Sequence, residues 1–426
     1  MKKYLTFIAA AMMATACQND DSVTGQLQTG DPIKFGVAER GITRAPGQIY
    51  TKKDLALTKK PFGVFACFTS ELKYENTTVK ADYMYNQKVM AVDADGNPVT
   101  DNTDPGTYVW EYAPVKYWPN SIDTETGKLL QYTSFFAYWP HESNPREGSE
   151  TGIIDMSKNT DYGDPWINFR LPQYPWGYGD PNEDNYIEPQ QVDLMYGVKK
   201  ISETEADDGI INDELFFDQQ KPYENADPKN DKMEFIFRHA LACFGDTITI
   251  KLETDDGKID LNDIIVNYAS IKITKLTIVY KNLCTKGRLV LNSPNGPNWK
   301  EIISGELTCE RTYEKELETP LEVKTEEQII SEDDGLFYIP MVVRGCEEPY
   351  AEITINYTLT LPGEEVNTPV EKHGTATTTV PMQTVVAGQK TPVQLILTKN
   401  LDLLHIVYQL PEESIADRPS WSREIK

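Results

Sequence analysis

Residues 351–361 read Ala-Glu-Ile-Thr-Ile-Asn-Tyr-Thr-Leu-Thr-Leu, with Ile353, Ile355, Tyr357, Leu359 and Leu361 at every second position. A period of two puts one set of side chains on each face of an extended chain, so this stretch is a β-strand with one wet face. The same alternation recurs at Ile248, Ile250 and Leu252, and again at Val393, Leu395 and Leu397. Residues 270–280 alternate at Ile271 and Ile273 and then change parity to Leu276, Ile278 and Tyr280, which predicts a β-bulge near Thr274–Lys275. No long segment carries a 3.6-residue apolar period; a short helical turn is expected around 51–57. Turn-forming runs such as Asp-Gly-Asn-Pro and Asp-Pro-Gly separate the strands. The fold class expected from this pattern is all-β, with antiparallel sandwiches.

A chain of 426 residues is long for one core, so two domains are expected. The acidic, polar stretch 203–232 reads as their junction, giving an N-terminal domain over 32–225, a C-terminal domain over 230–399 and a tail over 400–426. With 23 Tyr and 7 Trp there is ample material for both cores. The formal net charge of −25 disfavours nucleic acid and anionic membrane surfaces as partners, because phosphate binding needs Lys and Arg.

The first residues form a secretory signal over 1–16: a basic Met-Lys-Lys start, a short apolar run, and small residues before Cys17. The apolar run is too short to span a bilayer. The end of the signal resembles a bacterial lipobox, in which Cys17 is lipidated and becomes the new N-terminus. Ala14 stands where the usual pattern has Leu. Acyl chains contribute about 0.8 kcal/mol per buried CH₂, so a multiply acylated cysteine holds firmly. Residues 17–31 then form a polar tether, and the acidic residues after Cys17 resemble a surface-export signal.

Five cysteines besides Cys17 (Cys67, Cys243, Cys284, Cys309 and Cys346) include no Cys-x-x-Cys spacing. Neither a disulfide framework nor a zinc site is expected from them. The four histidines (His141, His239, His373 and His405) form no metal-ligand spacing, and His239 in an apolar strand reads as a hydrogen-bonded core residue. Nucleophile-elbow, phosphate-loop and dinucleotide-loop motifs are missing from the sequence, and no carboxylate pair stands out. The chain therefore reads as a non-enzyme without a metal or a cofactor. Asp93, Asp95, Asn97 and Asp101 resemble a calcium loop only faintly, and a hairpin turn accounts for them better. Trp166, Tyr174, Trp176 and Tyr178 cluster among prolines; such rings either stack on sugars or pack a long loop onto its domain.

Several local patterns line up in one order: Pro-Val-Lys-Tyr-Trp-Pro (114–119), 129–140 ending Phe-Ala-Tyr-Trp-Pro, Gln-Val-Asp-Leu-Met-Tyr-Gly (191–197), 235–242 and 385–397. Together, behind the lipobox, they resemble the fimbrillin or Mfa-like proteins of Bacteroidetes, subunits of type V pili. The resemblance covers roughly residues 31–399. It implies two transthyretin-like, Greek-key sandwich domains and export as a lipoprotein to the outer membrane. It further implies a cut by an arginine-specific protease that removes the first strand, and assembly with other fimbrial subunits by strand exchange. A host or bacterial surface ligand would be the target of adhesion. The removable strand carries Ile33, Phe35 and Val37; the cut follows Arg44, leaving Ala45 first, with Arg40 as a second candidate. In the tail, Leu404, Ile406, Tyr408 and Leu410 alternate until Pro411. That segment reads either as a donor strand for the next subunit or as the last strand of the C-terminal domain. The rival reading is a surface glycan-binding lipoprotein that does not polymerise.

Overall fold

A computed structural model describes residues 31–38, 52–70, 73–100, 102–104, 107–119, 124–126, 130–199, 213–220, 232–253, 256–262, 264–363, 368–382, 387–388 and 390–407. The described chain is nearly all strand, with one short helix at Lys52–Leu57. No helix among the described residues is long and apolar enough to cross a membrane.

The first sheet closes on itself. Strand Phe62–Ser70 pairs with Met84–Val92, which pairs with Val109–Glu111, which pairs with Phe35–Val37. The path continues through Met233–His239, Met195–Lys199 and Gln131–Trp139, and returns to Phe62–Ser70. Strand Phe216–Gln219 adds to the outside of Gln131–Trp139. Every strand of the circuit contributes to one apolar cluster, which includes Phe35, Phe62, Val89, Trp110, Phe135, Met195 and Phe235. The opposite faces of three of these strands are buried too: Phe65, Cys67, Phe136, Tyr138, Tyr196 and Val198 join a second cluster shared with the C-terminal strands. Double burial explains why these strands read as continuous apolar runs, such as Phe-Phe-Ala-Tyr-Trp, rather than as alternating ones.

The second cluster lies chiefly between two sheets. One has Thr308–Glu322, Ser270–Cys284, Tyr350–Leu361 and Val370–Pro381 in that order; the other has Gln328–Glu332, Ala242–Leu252, Lys390–Leu397 and Leu403–Val407, with Leu336–Tyr338 also on Ala242–Leu252. The strictly alternating residues meet here: Ile248, Ile250, Val393 and Leu395 from one side, Ile271, Ile278, Ile353 and Ile355 from the other. The register of Ser270–Cys284 slips between Ile273 and Lys275 against both neighbours, where the parity change predicts a bulge. The long edge strand Thr308–Glu322 exposes Glu310, Glu314, Glu316 and Glu318, charges that discourage edge-to-edge pairing with another chain.

Two pairings are parallel rather than antiparallel: Phe35–Val37 on Met233–His239, and Ala242–Leu252 on Lys390–Leu397. Both join segments far apart in sequence, so long connections supply the crossover that parallel strands require. The sheets also draw on both sides of the acidic stretch 203–232. Met233–His239 completes the first circuit, and Lys286–Val290 pairs with Trp166–Arg170.

Candidate functional site

The most distinctive feature of the first sheet is the seam filled by Phe35–Val37. Its side toward Met233–His239 is a three-residue parallel register, Phe35 to Met233, Gly36 to Glu234 and Val37 to Phe235. Its side toward Val109–Glu111 holds a single pair, Phe35 to Trp110, extended by a bridge from Pro32 to Tyr117. Backbone hydrogen bonds flank this short ladder: Ile33 N donates to Lys116 O at 2.9 Å, Trp118 N to Asp31 O at 2.9 Å, Met233 N to Lys34 O at 2.8 Å and Ala38 N to Phe235 O at 2.9 Å. The Tyr112 hydroxyl donates to Ile33 O at 2.8 Å.

Side chains hold the strand in place. Ile33, Phe35 and Val37 are 1%, 2% and 4% exposed. The Phe35 ring sits among Tyr112, Phe135, Phe235 and Phe62 at centroid distances of 5.2, 5.9, 6.1 and 6.5 Å. Burying three such side chains is worth about 1.5–3 kcal/mol each, so the strand's apolar face contributes more than its few hydrogen bonds, each worth about 1 kcal/mol net. Two polar atoms in the same cluster are unsatisfied: the indole nitrogens of Trp110 and Trp118 are buried and have no hydrogen-bond partner. Gly36 is buried as well, and a Cβ there would meet Glu234 Cγ at 3.1 Å and Lys232 Cδ at 3.3 Å.

The structure thus brings Ile33, Phe35 and Val37 together on one buried face. Cys17, Arg40, Arg44 and Ala45 lie outside the described residues, as do Tyr408 and Leu410. Leu403–Val407 pairs antiparallel with Lys390–Leu397, Ile406 opposite Gln394. Leu403 is buried at 4%, whereas Leu404 is 53% exposed. Sequence reading missed the lining of the seam, namely Trp110, Tyr112, Trp118, Met233 and Phe235. The only local signal was the aromatic content of four of them, since the pairing partners are distant in sequence.

The other candidate residues have structural partners. Trp176 stacks on Tyr280 with centroids 5.7 Å apart, packs against Tyr313 at 5.1 Å and donates its indole N–H to Asp334 O at 2.8 Å. The Arg288 guanidinium lies 3.6 Å over the Trp166 ring. Trp176 therefore fastens the loop to the C-terminal strands, while Trp166 opens strand Trp166–Arg170, opposite Val290. Asp93 Oδ1 accepts from the backbone amides of Asp95 and Asn97 at 2.9 and 2.8 Å, closing a tight turn. His239 Nδ1 faces the Asp193 carboxylate at 2.8 Å. The Asp334 carboxylate accepts from Tyr313, Ser331 and Lys315 at 2.6, 2.7 and 3.2 Å. Burial works against its charge, but these hydrogen bonds outweigh it and hold the carboxyl below its usual range. Cys67, Cys243, Cys284, Cys309 and Cys346 are all free thiols.

No family model matches the sequence, and a search of curated proteins finds no match either. Among solved structures, a fimbrial protein from Bacteroides vulgatus aligns over 88% of this chain and 98% of its own, with 18% identity and a TM-score of 0.59. The two chains share a fold. Looser likenesses extend to a candidate cell adhesion protein from Bacteroides uniformis (13% identity, 90% of this chain and 99% of that one, TM-score 0.35). Another, from Parabacteroides distasonis, has 8% identity over 90% of this chain and 100% of its own, with a TM-score of 0.38. The seam strand is the first element among the described residues, and helix Lys52–Leu57 is the next.

Proposed function

We propose that the chain is a non-enzymatic structural subunit of a cell-surface fimbria that acts in adhesion and assembles with other subunits by strand exchange. The observation that carries this reading is the seam: one short strand at the start of the chain closes a circuit that is otherwise continuous. Taking out Ile33, Phe35 and Val37 uncovers an apolar chamber and two rows of backbone donors and acceptors, both costly to leave in water. A strand from a neighbouring subunit restores the ladder and refills the chamber, which is β-augmentation. Two arginines, Arg40 and Arg44, follow the strand at the place where a single cut frees it. Lipidation of Cys17 holds the precursor at the outer membrane until an arginine-specific protease acts. The tail beyond Leu403 is the segment that serves the neighbour.

N-terminal sequencing of protein released from the cell surface tests this reading. A start at Ala45, together with ladders that survive mild denaturant, is the expected result. A chain that starts only at acylated Cys17 and stays monomeric overturns it.

A further inference from the structure

Asp246 sits where the parallel pair Ala242–Leu252 and Lys390–Leu397 falls out of step. Phe244 is level with Thr391 and Ile248 with Val393, so Gly245, Asp246 and Thr247 together face Pro392. A bulge of this kind re-aims a side chain, and Gly245 takes the left-handed turn it needs, with φ at 73°. Asp246 Oδ2 lies 3.9 Å from Nζ of Lys390, the first residue of the neighbouring strand. The two side chains are 15% and 20% exposed. No other lysine among the described residues is paired with so shielded a carboxylate; the next, Asp334, is 35% exposed.

The contact is a poor ion pair. Asp246 Oδ1 is buried and has no hydrogen-bond partner. Lys390 Nζ has two carboxylate neighbours, Asp246 Oδ2 and Asp333 Oδ1, and both stand 3.9 Å away, beyond hydrogen-bonding distance. Two charges have thus left water without gaining a hydrogen bond from each other, which is costly. The turn that carries Asp333 is pressed against the pair: a Cβ on Gly335 would meet Asp246 Cα at 2.7 Å. Burial raises the Asp246 carboxyl above its ordinary range, against the opposing pull of the Lys390 charge. A weakly solvated amine and acid held in reach of each other are also two halves of a condensation, and holding them so removes most of its entropic barrier.

We propose that Lys390 and Asp246 join in an isopeptide bond between Nζ and Cγ, which closes residues 246–390 into a covalent loop. Proton transfer from Nζ to the Asp246 carboxylate first leaves a neutral amine and a neutral acid. The Nζ lone pair attacks Cγ, and the carbonyl electron pair moves onto Oδ2. The Asp333 carboxylate takes a proton from the nitrogen and returns it to the Oδ1 hydroxyl. The Cγ–Oδ1 bond then breaks, water leaves, and the carbonyl re-forms. An amide and one water replace an amine and an acid, so no oxidant, reductant or activating group is needed. The departing oxygen is the orphaned one, and the product carries no charge to bury. Ala242–Leu252 and Lys390–Leu397 are the two inner strands of their sheet, so the bond ties the sheet at its centre and keeps residues 247–389 from being drawn out under tension. The bond does not depend on strand exchange.

The test is a tryptic map of the full chain purified under native conditions, because trypsin does not cut after an acylated lysine. The expected product is a branched peptide, residues 239–251 joined to residues 373–399, one water lighter than the sum of its parts. The intact protein should likewise be one water lighter than its sequence requires. Lys390→Arg keeps the charge but removes the nucleophile, and should restore the full mass. Asp333→Asn should form the bond at least about tenfold more slowly, as expected for loss of a group that transfers protons. Linear peptides ending at Lys390 and starting at Thr391, from folded parent protein, overturn the proposal without any variant. Water loss that persists in Lys390→Arg also overturns it, because the lesion then lies elsewhere. An unchanged rate in Asp333→Asn overturns the part given to Asp333 and leaves the bond standing.

Discussion

Phe35 stacks on Phe235, ring centroids 6.1 Å apart and planes 25° from parallel, although the two residues are two positions out of register in adjacent parallel strands. The stack ties the first strand to Met233–His239 diagonally, so side-chain packing extends the grip of a three-residue ladder.

Phe35→Ala should therefore destabilise the uncut chain by about 3–5 kcal/mol, the usual cost of emptying a buried phenylalanine site. Lys34→Ala, on the exposed side of the same segment, should stay within about 0.5 kcal/mol of the parent. Urea unfolding followed by tryptophan fluorescence compares the two. Equal effects would refute the packing account of the seam.

Trp176→Ala should act on stability. The indole is wedged between Tyr280 and Tyr313 and bonded to Asp334 O, so its loss should cost at least about 2 kcal/mol. Thermal unfolding together with a glycan-binding assay separates the roles: a variant with unchanged stability and lost glycan binding would reverse the assignment.

Asp334 predicts an acid limb in the stability curve. Its carboxyl titrates lower in the folded chain than the ordinary value of 3.8, so the folded state favours the charged form. The resulting stability is present above the ordinary value and is lost as pH falls through the folded one. The gap in urea midpoint between the parent and Asp334→Asn should be open at neutral pH and should narrow as the pH falls below the ordinary carboxyl value of 3.8. A gap independent of pH would show that the charge contributes nothing.

Burial pushes the thiols of Cys67, Cys243 and Cys284 up to about 12 and raises that of Cys309. They should resist alkylation in the native protein, and Cys346, only half buried, should react first. Timed iodoacetamide labelling with peptide mapping measures the order. Early labelling of Cys67 or Cys243 would mean that the core opens readily.

The C-terminal sandwich was legible because its strands have one wet face. Ile248, Ile271 and Ile353 each belong to a clean alternation, and even the slip between Ile273 and Lys275 showed as a change of parity. The first sheet was harder to read, since Phe135 and Phe136 are both fully buried in different clusters and no alternation survives. Ile33, Phe35 and Val37 were recognisable as one face. Their partnership with Met233 and Phe235 was not, because nothing local marks a strand that pairs across most of the first half of the chain. In the tail the parity was ambiguous: the run of apolar residues from Leu403 contains two faces, and the structure buries Leu403 and exposes Leu404.

The strand that begins the described chain and the strand that ends it belong to different sheets. An association that uses the place of one and the continuation of the other joins unlike surfaces, so each contact is head-to-tail and can repeat from copy to copy. Such a contact has a direction. Each added copy consumes one vacancy and presents another, which favours growth from a single end over closed pairs, and the length of the product is then set by supply and by whatever terminates it.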